Sequence, residues 1–403
     1  MTSSPFWNGG APCPSGGSGA LPIRICHLIT SLDTGGAERS LVNLVTAMNR
    51  DEFENEVITL LKPGPMAQTL AQAGIPVTSM EIGRQRPNPA AVLSLIHHLR
   101  MKRPAILQTW LYHADFFGSV TALFAKPDHL VWNVRSSQID DRVIRRSTRY
   151  LARFLGMLSR RPDAIIVNSR DGQRDHERIG YRPKRWVNIA NGVDLERFHP
   201  RRDERAALRT RLGVPADATV IGLVARYHPM KDIDTFLRAA SRFQQDHENA
   251  KFVLCGDGLG AGNSTLPKVV RALDLDRNIV LLGPRSDIEL IYPAFDLLTL
   301  CSIAGEGFPN VLCEAMACDV PCVATDIGDS AEIIGDCGVI VPKGDHGALV
   351  RAWHVLLAKH PQPGTETPRS RIAARYSLET MRAQYESFYR SLAQKSSKAR
   401  DWH

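Results

Sequence analysis

Residues 23–48 read IRICHLITSLDTGGAERSLVNLVTAM. Ile23–Ile29 is a short apolar run that ends at a glycine loop, which predicts a strand and a tight turn. Beyond the loop, Leu41, Val42, Leu44, Val45 and Met48 share one face of Ala37–Met48, a helical period. This strand–loop–helix unit then repeats. Val57–Leu61, Val77–Met80, Ala105–Gln108, Leu130–Val134, Ala164–Asn168 and Val187–Ala190 are further strand candidates between helical patterns. Such alternation predicts a parallel sheet with helices on both faces.

The pattern breaks at Asn191-Gly192-Val193-Asp194, which is turn chemistry, and at the polar stretch His199–Arg205. It then resumes. Thr219–Ala225 reads as a strand and Asp232–Gln245 as a helix; Lys251–Cys255, Ile279–Leu282, Asp296–Leu300 and Val320–Ala324 follow as strands. The expectation is an α/β chain with two doubly wound domains, residues 21–198 and 199–376. A cleft should lie between the C-terminal edges of their sheets, where open α/β sheets take ligands. In the last stretch Met381, Tyr385, Phe388, Tyr389 and Leu392 recur at helical spacing. Residues 377–403 therefore read as a helix that packs its aromatics back on the first domain.

Composition agrees. A length of 403 residues fits two or three domains at ~150 residues each. With 43% apolar and 23% charged residues, a mainly disordered chain is excluded. No apolar run approaches the ~18 residues of a membrane span. Residues 1–20 are rich in Ser, Gly and Pro and read as a flexible tail, without the basic start and apolar core of a secretory signal. The eight cysteines include no CxxC pair and read as buried thiols in a reducing cytosol. Cys313, Cys318 and Cys322 are close in sequence. The third falls on a different element, though, and no His accompanies them, so a metal site is not expected. The net charge is +8, and Arg135–Arg205 alone holds 18 basic against 10 acidic residues. The basic excess is local.

Three loops have the chemistry of a phosphate cradle. In Thr34-Gly35-Gly36-Ala37-Glu38, two glycines permit close backbone approach, and a helix start aims free N–H groups at the same point. A tight turn with no ligand is the other reading of this loop, and the third Gly of a dinucleotide fingerprint is lacking. In the stretch from Ala225 to Asp232, Arg226 and Lys231 flank a helix start, as suits a diphosphate. Glu306-Gly307-Phe308-Pro309-Asn310-Val311-Leu312-Cys313-Glu314 runs from a loop into a helix with Pro near its first turn. The amides near Asn310 and Val311 form an anion nest there, and the two carboxylates reach one elongated ligand at different points.

These residues resemble retaining glycosyltransferases of the GT-B fold, with two Rossmann-like domains facing across a cleft. More narrowly, the chain resembles glycosyltransferase family 4 (glycosyl transferases group 1). The matches are SLDTGGAE (31–38), NGVDLERFHP (191–200), ARYHPMKD (225–232), Gly256-Asp257-Gly258, LLGPRSD (281–287) and the E-x7-E motif from Glu306 to Glu314. The block continues through Thr325 to Val341-Pro342, so the resemblance covers nearly the whole chain after residue 22. It implies an enzyme that moves a sugar from a nucleotide-diphosphate sugar (UDP- or GDP-sugar) to a glycan or lipid-linked acceptor, in cell-envelope or exopolysaccharide synthesis. It places Gly35, Gly36 and Gly256 near the donor, and Arg226 and Lys231 on its diphosphate. Arg285 falls in the loop around the base, Glu306 on hydroxyls of the donor sugar and Glu314 on those of the ribose. Gly307, Phe308, Pro309, Asn310 and Val311 supply the backbone that covers the phosphates.

No metal or other cofactor is expected, since Arg226, Lys231 and the helix N-terminus supply positive charge. The Asp-x-Asp at Asp274-Leu275-Asp276 sits in a helix-to-strand connection and does not read as a metal site. Family members often carry a His after a strand of the first domain, many within Thr-x-His. The chain has Asn133-Val134-Arg135 at that place. The candidates for acceptor contact are therefore Trp110, His113 and Arg135, the last suited to an acidic or phosphate-bearing acceptor, and His113 also joins the catalytic set. Locally satisfied loop residues are the alternative for each.

In the stretch from Arg142 to Arg161, Val143, Ile144, Tyr150, Leu151, Phe154, Leu155 and Leu158 project to one side of a helix. Arg142, Arg145, Arg146, Arg149, Arg153 and Arg160 lie almost opposite. Such a helix either packs its apolar side on the domain or lies at an anionic membrane surface. The expected location is the cytoplasm, with peripheral contact at the inner face of the membrane; nucleic-acid binding lacks a supporting motif. Two other functions remain open on the sequence: an epimerase or phosphorylase of the same fold, and a non-catalytic glycan- or nucleotide-binding protein.

Overall fold

Thirteen parallel strands form two sheets in the computed structural model, which describes residues 21–83, 88–135, 146–260, 262–359 and 364–400, with side chains to residue 395. The tail expected at 1–20 and the start of the basic helix, 142–145, lie outside the described residues. The first sheet is built from β1 (Ile23–Ile29), β2 (Phe53–Thr59), β3 (Val77–Ser79), β4 (Ile106–Trp110), β5 (His129–Val134), β6 (Ala164–Val167) and β7 (Trp186–Asn188). Its helices are α1 (Gly36–Ala47), α2 (Ala67–Gln72), α3 (Pro89–Lys102), α4 (Leu111–Ala125), α5 (Arg146–Leu158) and α6 (Arg170–Arg178). The spatial order is β3-β2-β1-β4-β5-β6-β7.

After α7 (Arg205–Arg211) come β8 (Thr219–Val224), α8 (Ile233–Phe243), β9 (Ala250–Cys255), α9 (Leu266–Ala272), β10 (Ile279–Gly283) and β11 (Leu297–Leu300). Then follow α10 (Asn310–Ala317), β12 (Cys322–Thr325), α11 (Ser330–Ile334), β13 (Gly338–Val341), α12 (His346–Ala358), α13 (Pro368–Arg375) and α14 (Leu378–Arg400). The second sheet runs β10-β9-β8-β11-β12-β13. Each sheet reverses its winding beside its first strand, between β1 and β4 and between β8 and β11. Loops at such a switch point splay apart and leave a crevice. The four loops that leave these strands are residues 30–35, the start of α4, residues 225–232 and residues 301–309.

β4, β6, β11 and β12 are buried along their whole length because both sheet faces carry helices, which explains their continuous apolar runs. β2 begins at Phe53, four residues before the expected start, through polar residues that the apolar pattern could not reveal. β13 was not expected: three apolar residues after a glycine are too short a signal. The chain leaves the first core at Ile189 and enters the second at Val193, whose neighbour Phe198 also packs there. The division expected after residue 198 thus falls earlier. Val193 pairs with Ser377, so two chain crossings lie side by side between the cores.

α14 returns to the first domain. Met381, Tyr385, Phe388, Tyr389 and Leu392 all pack in its core, and the Tyr389 hydroxyl donates to Gln108 Oε1 at 2.7 Å. Truncating a wholly buried aromatic of this size costs about 3–5 kcal/mol. Tyr389→Ala should therefore destabilise the first domain by that amount in urea unfolding, while Tyr389→Phe should cost about 1 kcal/mol.

Candidate active site

Two helix N-termini face each other across the crevice. α1 begins at Gly36 and α10 at Asn310, and a Cβ placed on Gly36 would stand 3.9 Å from Asn310 Nδ2. Neither helix has a side-chain cap at its N-terminus. The Leu312 amide bonds the Pro309 carbonyl at 3.1 Å and the Glu38 amide its own carboxylate; the remaining first amides and the positive ends of both dipoles border the same space, which suits an anion. Glu38 folds back beside Gly35, and burial pushes its carboxyl above the usual range.

The sequence brings Lys231 and Glu306 together as an ion pair. Lys231 closes a single 3₁₀ turn, and Asp232, in the left-handed region at φ 47°, caps α8 by accepting from the Thr235 amide at 3.4 Å and from its Oγ1 at 2.7 Å. Ser302 donates to Glu306 Oε1 at 2.7 Å, and the Thr325 hydroxyl holds the Ser302 carbonyl at 2.6 Å. Glu306 therefore presents its second oxygen, Oε2, for a ligand hydroxyl. The amide of Ile303 binds the Met230 carbonyl at 2.8 Å, which ties the two loops together. Arg226 stands exposed just past β8, with no partner among the described residues. Its neighbour Gly256 has φ 144°, and a Cβ there would lie 1.9 Å from the Ala225 carbonyl oxygen, so only glycine lets these loops meet.

Glu314 lies one turn into α10. The hydroxyl of the fully buried Tyr292 donates to its Oε2 at 2.8 Å, leaving Oε1 for a ligand. Burial raises the Glu314 carboxyl above its ordinary value, and the Tyr292 hydrogen bond pulls the other way. Arg285 is held by Asp287 through two bonds of 2.8 and 2.6 Å, so it braces its own loop. Phe308 turns inward onto Tyr376, ring centroids 5.5 Å apart, so residues 307–311 meet the crevice through their backbone.

The donor loop is also fastened to the first domain. The Asp329 amide donates to the Gly307 carbonyl at 2.9 Å, and its carboxylate accepts from the Arg170 and Asp171 amides at the start of α6, at 3.0 and 3.3 Å. The adjacent Gly328 has φ 54°, and a Cβ there would lie 2.5 Å from the Gly307 oxygen. On the other side Asn191 donates to Asn310 Oδ1 at 2.7 Å. Sequence reading missed Tyr292, Ser302 and Asp329 as site residues. Their types are common, and only the fold brings them to Glu314, Glu306 and Gly307. Asn191 had a signal in its turn motif but not a role.

Two acceptor candidates need correction. Trp110 is the last residue of β4 and is wholly buried; it stacks on Tyr385 and its indole N–H donates to His27 Nδ1, so it offers the crevice no surface. Arg135 is not free for an acceptor either. Its Nε donates to Asn133 Oδ1 at 3.1 Å and NH2 to the Tyr385 hydroxyl at 2.8 Å, NH1 reaches Asn191, and the guanidinium sits 4.9 Å from the Trp110 ring centre. His113 is exposed in the first turn of α4, beside the crevice. Asp274 and Asp276 lie before β10, at the sheet edge opposite the crevice, and Asp276 pairs with Arg271. No cluster of three metal-ligating side chains occurs among the described residues. The seven cysteines of the described residues are buried and unpaired.

A family model described as Glycosyltransferase Family 4 matches residues 34–197, and one described as Glycosyl transferases group 1 matches residues 218–359. The chain belongs to the group 1 glycosyltransferases. EpsF of Bacillus subtilis (strain 168), named as a glycosyltransferase, is 26% identical over 320 residues, 75% of this chain and 79% of that protein. A D-inositol 3-phosphate glycosyltransferase of Corynebacterium urealyticum is 34% identical over 244 residues, 57% of either chain. This chain thus spans little more than half of that relative's length. Among solved structures, Anabaena Alr3699/HepE in complex with UDP matches with a TM-score of 0.78 at 23% identity, over 91% of this chain and 100% of that one. Sucrose-phosphate synthase of Thermosynechococcus elongatus matches at 0.70 and 18%, over 92% and 99%. These likenesses establish the GT-B fold, and the family matches support a glycosyltransferase.

An ionised Glu314 is the form that accepts hydroxyl hydrogen bonds. Removing the Tyr292 hydroxyl takes away a bond that favours ionisation. In Tyr292→Phe the acid limb of nucleotide binding should move to higher pH, with a much smaller change well above that limb; calorimetric titration across pH checks this.

Proposed function

We propose that the enzyme moves a sugar from a nucleotide-diphosphate sugar to a hydroxyl of a glycan or lipid-linked acceptor, with retention and without a divalent metal. The observation that carries this reading is the facing pair of uncapped helix N-termini at Gly36 and Asn310, flanked by Lys231 and Arg226. A diphosphate between them is met by amides from both domains and by fixed cations. These donors strengthen their hold as the bond from the sugar C1 to the phosphate oxygen breaks and its electron pair passes to that oxygen. The acceptor oxygen then bonds to C1 on the same face, and its proton passes to the departing phosphate. Glu306 holds the sugar hydroxyls through Oε2, and Glu314 the ribose through Oε1. The Anabaena structures bound to UDP and UDP-glucose support uridine over guanosine as the base. The proposed setting is cell-envelope or exopolysaccharide synthesis on the cytoplasmic side. Lys231→Ala and Glu314→Ala should each lower turnover of a UDP-sugar about tenfold or more, in chelator as in its absence. Near-normal turnover in both variants would contradict the site.

A separate observation supports a lipid-linked acceptor. The helix projection has Tyr150 and Phe154 on the apolar side of the basic helix, for packing or for a membrane surface. α5 packs through Ala152, Leu155 and Gly156 with Leu151 and Leu158 beside them, and turns Tyr150, Phe154 and Met157 to solvent beside Arg146 and Arg153. Seven of the eleven exposed large apolar side chains of the described residues lie on three adjacent helices. They are Leu93 and Met101 on α3, Leu123 and Phe124 on α4, and these three on α5. Among the described residues of the three helices Asp115 is the only acid, and it is buried. An apolar, cationic face without acids fits an anionic bilayer, and no helix among the described residues is long and apolar enough to cross one. The protein should float with vesicles containing phosphatidylglycerol. The combined variant Arg146→Glu, Arg153→Glu, Phe154→Ser should stay in the soluble fraction and retain turnover on a soluble acceptor.

A further inference from the structure

Asn191 lies at the first chain crossing between the domains, beside the Val193–Ser377 pairing. Its side chain touches both of them. Arg135 NH1, Asn168 Nδ2 and Ser40 Oγ, all from the first domain, converge on Asn191 Oδ1, the last two at 3.4 Å. The Asn191 amide donates across the boundary to Asn310 Oδ1 at 2.7 Å. The direction of this chain is fixed at its start. A guanidinium only donates, so the atom that Asn191 turns to Arg135 must be its oxygen. Arg135 cannot turn away, because Asn133, Tyr385 and the Trp110 face hold it. The Asn191 amide N–H2 therefore points at Asn310, which accepts through its oxygen. The N–H2 of Asn310 is left facing the crevice toward Gly36, and among the described residues no acceptor takes it.

We propose that Asn191 is a positioning residue that relays the polarity of Arg135 to Asn310, so that the Asn310 side chain adds a fixed N–H donor to the phosphate site between the two helix N-termini. The inference rests on reading this crevice as a nucleotide-diphosphate site. It also explains the place of Arg135, since a donor-only group there sets the orientation of two amides in series. Without Asn191, the Asn310 oxygen is drawn to the uncapped amides and positive dipole ends of the two helices, so it turns into the crevice, withdraws the donor and repels the anion.

The test is calorimetric binding of UDP and of uridine to the full chain. Hydrogen bonds to charged groups carry about tenfold or more in affinity. Asn191→Ala should weaken UDP about tenfold and leave uridine within about twofold, because uridine has no phosphate to miss the donor. Asn310→Ala should do the same. In the Asn310→Ala background, Asn191→Ala should change UDP binding by less than about twofold, since the relay then has no end. Asn191→Ser, which is small and polar, should match Asn191→Ala and guards against loss of fold. Equal weakening in both backgrounds, or parallel weakening of uridine, overturns the relay while leaving the donor site standing. Failure of the wild-type protein to bind UDP overturns both.

Discussion

Two positive helix ends point at each other across the crevice, and much of the structure serves to hold them there. Each end carries roughly half an elementary charge, so in the absence of an anion they repel. The domains must be held against that repulsion by contacts of other kinds. Two such contacts flank the donor loop, Asn191 on Asn310 and Asp329 on the start of α6. The ion pair of Arg170 with Glu332 adds a third link beside Asp329. The paired chain crossings at Val193 and Ser377 limit how the sheets can turn. A diphosphate bound there, as proposed, would turn the repulsion into a shared attraction.

Charge is divided between the two halves accordingly. The second domain places a few cations where phosphates belong and pairs others locally, as with Arg285 and Asp287 or Arg197 and Glu289. The surplus sits in the first domain and the crossing, between Arg135 and Arg205. Part of it lines the α3–α5 face beside exposed aromatic and methionine side chains. Arg135 belongs to neither class: it is turned inward and uses its charge to orient neutral amides.

Repeating patterns made the fold legible. Strand and helix periods recur from residue 23, and the break at Asn191-Gly192 marks the passage between domains to within a few residues. The Gly35-Gly36 loop, Lys231 and the Glu306–Glu314 segment were legible because their local chemistry is compact in sequence. What escaped depended on distance. Tyr292 meets Glu314 across 22 residues, and Asn191 meets Asn310 across 119. Trp110 follows a strand and looked like a crevice residue, yet α14 returns from the far end of the chain to cover it. For α5, periodicity showed an apolar side but not that Leu151, Leu155 and Leu158 would pack while Tyr150 and Phe154 stay exposed.

As proposed, this crevice binds a nucleotide through its second phosphate, using protein donors alone. Calorimetric titration of UDP against UMP in the presence of a chelator tests it directly. UDP should bind about tenfold or more tightly than UMP, and adding magnesium should leave the ratio unchanged. Equal affinity for the two nucleotides, or a preference for UDP that appears only with metal, would contradict it.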